Sequence, residues 1–231
     1  MPIYRIADLN IEINPKYEKT RELLANYITD EKTADFCVEA EQSEIDRLTA
    51  NGDIDYMVEN SIINTLVCGK ILDSYDGLFF HSSALMLDGG AYVFSAPSGT
   101  GKSTHTALWR KHFGDRVTMI NDDKPIIRKK DGVFYVYGTP WMGKSNIGAN
   151  ISAPLKAVFL LERDSKNYAE KVSAGRVFAK LLEATLISRK QDKMLKILEL
   201  YDEIFSAVDL FSLHCTVSDE AVIAAYNALR K

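Results

Sequence analysis

Polar and apolar residues alternate over residues 4–13, the two-residue period of a strand with one buried face, and Asn14-Pro15 breaks the pattern. A short helix is expected next, and residues 34–39 make a second short strand. Ser43 with Asp46 three places on resembles a capped helix start before Ile45 and Leu48, with Asn51-Gly52 as the stop. Further on, Met57, Val58, Ile62, Ile63, Leu66, Val67 and Ile71 fall at helical spacing, which predicts one helix over 55–72 with a single buried face.

From Gly77 the pattern changes to strands. Residues 78–87 and 91–95 are apolar runs joined by Asp88-Gly89-Gly90, a tight-turn signal, so they should pair antiparallel with His81 inside the first strand. A second hairpin is expected from 124–129 and 133–137 around Lys130-Asp131-Gly132. Residues 155–162 read as a buried strand because Val158-Phe159-Leu160-Leu161 is continuously apolar. Residues 175–206 show helical periodicity in two pieces with a break near 188–192, followed by a strand at 210–216 and a helix opened by Ser218-Asp219-Glu220. Two hairpins fit poorly with a purely parallel sheet of strand-helix-strand units. The expected fold class is α/β, with a mixed, partly antiparallel sheet and flanking helices.

Composition narrows the classes of function. The 231 residues, 46% hydrophobic and 26% charged, provide for one good core with a small appended subdomain. We divide the chain at residue 75: an N-terminal α+β subdomain over 1–75 and a larger domain over 76–231. A net charge of -4 supplies no positive field for nucleic acid or an acidic membrane. Three widely spaced cysteines, Cys37, Cys68 and Cys215, suit reduced thiols and a cytoplasmic location. No apolar run approaches the about 20 residues of a membrane span, and the N-terminus does not read as a signal peptide.

The candidate chemistry begins with Ala96-Pro97-Ser98-Gly99-Thr100-Gly101-Lys102-Ser103, between an apolar strand and a helix. A phosphate chain needs several backbone N–H groups aimed at one point, in conformations that glycine tolerates best. The helix start adds unpaired N–H groups and its dipole, Lys102 can reach the terminal phosphates, and Ser103 can place a hydroxyl on magnesium. Residues Ser98 to Thr104 are therefore the candidate ATP site; a glycine-rich turn without ligand is the alternative. Next, Val117-Thr118-Met119-Ile120-Asn121-Asp122-Asp123 is a short strand ending in adjacent carboxylates. One can serve a magnesium ion, and mutual repulsion can raise the other toward a pKa useful for taking a proton. The bland reading is a polar turn. His81 is either a structural residue or a partner for an aspartate or phosphate.

Taken together, His81, the Asp-Gly-Gly hairpin, the Ser-Gly-Thr-Gly-Lys-Ser loop and Asp122-Asp123 resemble the kinase domain of HPr kinase/phosphorylase. That domain is itself similar to the nucleotide-binding core of ATP-dependent phosphoenolpyruvate carboxykinase. The resemblance covers residues 77–163 and implies a P-loop on a mixed sheet. It also implies Lys102 and Ser103 at phosphate and metal, Asp122 and Asp123 divided between metal and proton transfer in an order left open, and a histidine at position 81. The segment 138–150 lacks the glycine-rich signature expected for HPr recognition, and looks more like the small stand-alone proteins of peptide-modifying systems, including lasso-peptide kinases.

In that segment Gly138, Gly143, Gly148, Asn146 and Asn150 read as a flexible, donor-rich connection, Lys144 as a mobile charge over a transferring phosphoryl group, and Trp141 as a closing element or a tucked side chain. Arg163 is a candidate for nucleotide contact or for a surface ion pair. The expected function is ATP/Mg-dependent phosphoryl transfer to a hydroxyl of a protein, peptide or small molecule. The competing readings are the same site run as a phosphorylase or hydrolase, and an ATP-binding sensor without turnover. Residues 1–75 show no chemistry and serve acceptor recognition, homo-oligomer formation or completion of the sheet.

Overall fold

The computed structural model describes residues 1–50, 52–185 and 191–230. In chain order the elements are β1 (Ile3–Ile6), β2 (Leu9–Ile13), α1 (Glu18–Leu24), β3 (Ile28–Thr29), β4 (Phe36–Val38), α2 (Gln42–Thr49), α3 (Asp55–Ser74), β5 (Gly77–Phe79), β6 (Ser83–Leu87) and β7 (Gly90–Ser95). They continue with α4 (Lys102–Phe113), β8 (Val117–Asn121), β9 (Ile126–Lys130), β10 (Val133–Tyr137), β11 (Ser152–Arg163), β12 (Tyr168–Lys171), α5 (Ala174–Glu183), α6 (Gln191–Ala207), β13 (Asp209–Cys215) and α7 (Asp219–Ala228). The protein is a mixed α/β structure with two mixed sheets, one of them curled into a half-barrel.

The smaller sheet has four strands in the order β3-β1-β2-β4. The larger has nine: β5-β9-β10-β11-β7-β6-β8, with β13 beside β11 and β12 beside β13. β11 is the hinge of this sheet. Its first residues pair antiparallel with β10, and its remainder runs parallel to both β7 and β13. This accounts for the unbroken apolar run at 158–161. Val158 and Leu160 enter the core beneath α5 and α6, while Phe159 and Leu161 enter the core beneath α4 and α7. A strand covered on both faces loses the alternation of a half-exposed one.

Several sequence expectations are corrected. Residues 4–13 form a hairpin, β1 and β2, rather than one strand. Its turn uses Ala7 and Asp8 at φ 53° and 60° without glycine, and distant residues tie it down. Arg128 donates to the Ala7 carbonyl at 2.9 Å and Lys130 to Asp8 at 2.9 Å. The helix expected after Ser43 begins at Gln42, with Glu41 in the N-cap position and no side-chain cap. The predicted strand 78–87 is interrupted at 80–82, where the chain passes from β9 at one end of the sheet to β7 and β8 at the other. The interruption is stable because its N–H groups find partners outside any ladder. Phe80 donates to the Pro125 carbonyl, His81 to Ala184 and Ser82 to Asp123.

The helix over 55–72 is α3, but not all its apolar residues are buried. Met57 is 56% and Leu66 40% exposed. The two helical pieces of 175–206 are α5 and α6; residues 188–190 of the expected break, and Asn51 of the expected stop, lie outside the described residues.

The N-terminal sheet, α3, Ile126, Tyr137 and Trp141 share one apolar cluster, so the smaller sheet is packed against the β9–β10 hairpin. A buried carboxylate ties α1 to α3: Glu59 accepts the N–H groups of Lys16 at 2.6 Å and Tyr17 at 3.3 Å. These charge-assisted bonds offset its desolvation. They also fix α1 where Leu23 reaches the cavity described next. Among the described residues, no helix is long and apolar enough to cross a membrane.

Candidate functional site

β7 ends at Ser95, the chain loops over residues 96–101, and α4 begins at Lys102. Gly99 and Gly101 have φ of 77° and 120°, and nothing lies within 4 Å of where a Cβ would sit on either. Glycine is required here by backbone conformation, not by space. Gly101 is the N-cap and brings no side chain, so it leaves the first-turn N–H groups of α4 unmasked for an anion. Arg163, at the end of β11, donates to the carbonyls of Gly99 and Thr100, the latter at 3.1 Å. With those carbonyls turned toward the guanidinium, peptide planarity aims the Gly101 N–H the opposite way. Arg163 therefore shapes the loop.

Behind the loop, Lys102 is 8% exposed and its Nζ donates to the Ala96 carbonyl at 2.8 Å. Burial lowers its pKa, and the charges of Asp123 and Asp122 partly restore it. The two aspartates face different partners. Asp122 is buried, and its Oδ1 accepts the Ser83 hydroxyl at 2.5 Å; the Thr106 hydroxyl of α4 lies 2.9 Å from Ser83 Oγ. Asp123 is the more open of the two. His81 Nε2 lies 3.0 Å from its Oδ1 and Lys124 Nζ donates to its Oδ2 at 2.7 Å. The buried Asn121 fixes this turn by accepting the N–H groups of Asp123 at 2.8 Å and Lys124 at 2.6 Å.

The Asp123 carboxyl is set by its other partners and not by repulsion from its neighbour. Burial pushes the Asp123 pKa up, but the His81 and Lys124 hydrogen bonds, and then their charges, outweigh it and bring the carboxyl down to about 2.

One cavity of about 840 Å³ collects most of these groups. Its walls include His81, Ser98, Gly99, Gly101, Lys102, Ser103, Thr104, Asp122, Asp123 and Lys144 among the expected site residues. Thr100 and Arg163 line a neighbouring cavity of about 300 Å³ instead. The segment 138–150 is not a free flap. Asp122 N–H donates to the Ile147 carbonyl and Ala149 N–H to that of Ile120, so 147–149 runs along the end of β8. Gly143 presses on Asp123, since a Cβ there would meet the Asp123 Cβ at 2.8 Å. Trp141 is tucked, 6% exposed, within the N-terminal apolar cluster.

Sequence reasoning missed Ser83, Thr106, Lys124, Leu23 and Met57. Ser83 had one signal, a hydroxyl just after His81; Lys124 follows Asp123 directly and Thr106 lies one helical turn beyond Lys102, whereas Leu23 and Met57 became site neighbours through tertiary folding alone. For magnesium, the donor set is chemically apt. Ser103 and Asp122 offer hard oxygens in one cavity, Ser83 occupies only one oxygen of Asp122, and Mg²⁺ needs only one or two protein oxygens beside those of phosphates.

No family model and no curated protein matches the chain. The solved structure of the Hpr(Ser) kinase/phosphatase from Coxiella burnetii matches over 66% of this chain and 93% of that one, at 8% identity and a TM-score of 0.35.

Under α4, His105 is 3% exposed and accepts the Trp109 indole N–H at Nε2, 2.9 Å away. Burial depresses its pKa from 6.5 to about 4. The unfolded chain therefore binds this proton more readily than the folded one. The stability it contributes is complete above pH 6.5 and falls by about 3 kcal/mol as pH drops to 4. Urea unfolding at several pH values should show this loss, and His105→Gln should flatten it. An unchanged slope in the variant removes His105 as the cause.

Proposed function

We propose that the protein is an ATP- and magnesium-dependent phosphotransferase acting on a hydroxyl acceptor, an HPr-kinase-like enzyme in the sense of the motif resemblance above. The observation that carries this is a single cavity lined by a glycine loop with its helix start, a buried lysine, a buried carboxylate and a carboxylate–histidine pair. In this reading the loop N–H groups, Ser98, Thr104 and Lys102 hold the phosphates of ATP. Ser103 and Asp122 hold magnesium, which when bound neutralises charge on the terminal phosphates. The Ser83 bond orients Asp122 for that task. Lys144, on a short turn at the cavity edge, adds positive charge near the transferring group. Residues 76–231 then form the catalytic domain and residues 1–75 the acceptor side.

Asp123 receives the acceptor proton, with His81 beside it to share that proton. A carboxylate held near 2 is a weak base. It suffices because phosphoryl transfer passes through a loose transition state, in which the acceptor oxygen needs its proton removed only late. The acceptor O–H bond breaks toward Asp123 and a new O–P bond forms. The bond from the γ-phosphorus to the bridging oxygen of ADP breaks, and its electron pair leaves with ADP.

The test uses γ-labelled ATP with magnesium and fractionated extract of the source cells. Wild-type protein should bind ATP and label an acceptor, and Lys102→Ala should lower transfer by about 10²–10³-fold. ATP bound without labelling or hydrolysis favours a sensor. No magnesium-dependent ATP binding at all overturns the assignment.

A further inference from the structure

The apolar residues that stay exposed on α3 and at its N-cap are not scattered. Ile54, 55% exposed, Met57, 56%, and Leu66, 40%, line one groove with Ile62 and with Leu48 of α2. The groove encloses about 620 Å³. Met57 lines this groove and the candidate site alike, so the two cavities adjoin at one flexible side chain. From Met57 to Leu66 the helix advances about 14 Å, the length of about four residues of extended chain. The site cavity alone is already large enough for a small-molecule ligand. A second, apolar groove beside it suits a longer acceptor. The rim is acidic. Glu44 and Asp53 line the groove and, among the described residues, no lysine or arginine does; Glu44 has Arg47 at 3.8 Å in an exposed pair.

We propose that the groove between α2 and α3 docks an extended peptide segment whose hydroxyl side chain reaches Asp123, with apolar side chains along α3 and a basic side chain against Asp53. The proposal rests on the phosphotransferase reading and supplies its acceptor class. Met adapts its shape to varied apolar partners, which suits its place at the junction. Leu23 and Met142 complete the apolar wall where the peptide enters the site.

The experiment uses a short fluorescein-labelled peptide with one serine, a run of Leu and Ile on one side of it and a terminal lysine. A control peptide has glycine in place of the apolar run. Binding is read by anisotropy without ATP, and transfer is read separately with labelled ATP. Leu66→Glu and Ile54→Glu change exposed positions outside the site and should keep the wild-type thermal melt and ATP affinity. Wild-type protein should prefer the apolar peptide, and each variant should bind it about tenfold more weakly and raise the KM of transfer without lowering kcat. Equal binding by wild type and variants, or no preference over the control, overturns the groove. Self-association in sedimentation that Leu66→Glu abolishes assigns the groove to a second copy and also overturns it. Peptide that binds but is never labelled, while the extract assay labels an acceptor, overturns the peptide as acceptor; peptide that binds with no labelling in either assay leaves docking standing and removes the phosphotransferase reading, so the two failures are distinguishable.

Discussion

Asp123→Asn should leave magnesium-ATP binding within a few-fold of wild type and lower phosphoryl transfer by about 10²–10⁴-fold, the usual span of a positioned general base. The amide keeps the size of the carboxylate and one acceptor oxygen for His81 or the N–H of a neighbour, but it cannot take a proton. Its NH₂ would also face either His81 or the Lys124 ammonium, both of which now donate to a carboxylate. Asp122→Asn should behave differently. Its carboxylate is turned to Ser83 and the first turns of α4, so the variant should require more magnesium and bind ATP less tightly. Single-turnover rates and magnesium titrations on both variants separate these roles. If the two variants lose the same step to the same degree, the division of labour between the aspartates is wrong; if neither loses transfer, so is the kinase mechanism.

Trp109→Ala should destabilise the protein by about 3–5 kcal/mol, a large part of the stability of a typical domain. Trp109 is 0% exposed and is the largest fully buried side chain of the described residues. Its ring lies 5.3 Å from that of Phe113, 5.6 Å from Phe94 and 6.4 Å from Tyr226, so it joins α4 to β7 and α7. Truncation leaves a cavity under the helix that carries Lys102 and Ser103, and it strips His105 Nε2 of its donor. Chemical denaturation gives the loss directly. Trp109→Phe, which keeps an aromatic ring and loses the N–H, should fall between the two. A loss below about 1 kcal/mol for the alanine variant, the range of ordinary surface changes, would contradict this packing account.

Much of the local structure was legible because it rests on local rules. Asp88-Gly89 and Asp131-Gly132 adopt the positive φ of tight hairpin turns, and both hairpins form. The loop over 96–103 lies between a strand and a helix because an apolar run, two glycines and a helix-forming segment follow one another in the chain. What failed was any feature held by distant partners. The Ala7-Asp8 turn carries no glycine, and its stability comes from Arg128 and Lys130 on another sheet. The interruption at 80–82 falls in an apolar run without a breaker and depends on carbonyls of Asp123, Pro125 and Ala184.

By itself the sequence determined most of the helices and both glycine-turn hairpins, and it named the candidate site residues Lys102, Ser103, Asp122, Asp123 and His81. Spacing along one chain cannot tell which aspartate meets Ser83 and which meets His81 and Lys124, because adjacent side chains on an irregular turn point in unrelated directions. Only the tertiary structure decided that, along with the low pKa of Asp123 and the turning of Arg163 onto the loop carbonyls. It also decided that Met57 and Leu66 line a groove instead of a core. Helical periodicity shows that a face is apolar; whether that face is covered depends on how many neighbours the fold brings to it. Here α2 covers only part of α3, and the uncovered part meets the site cavity at Met57.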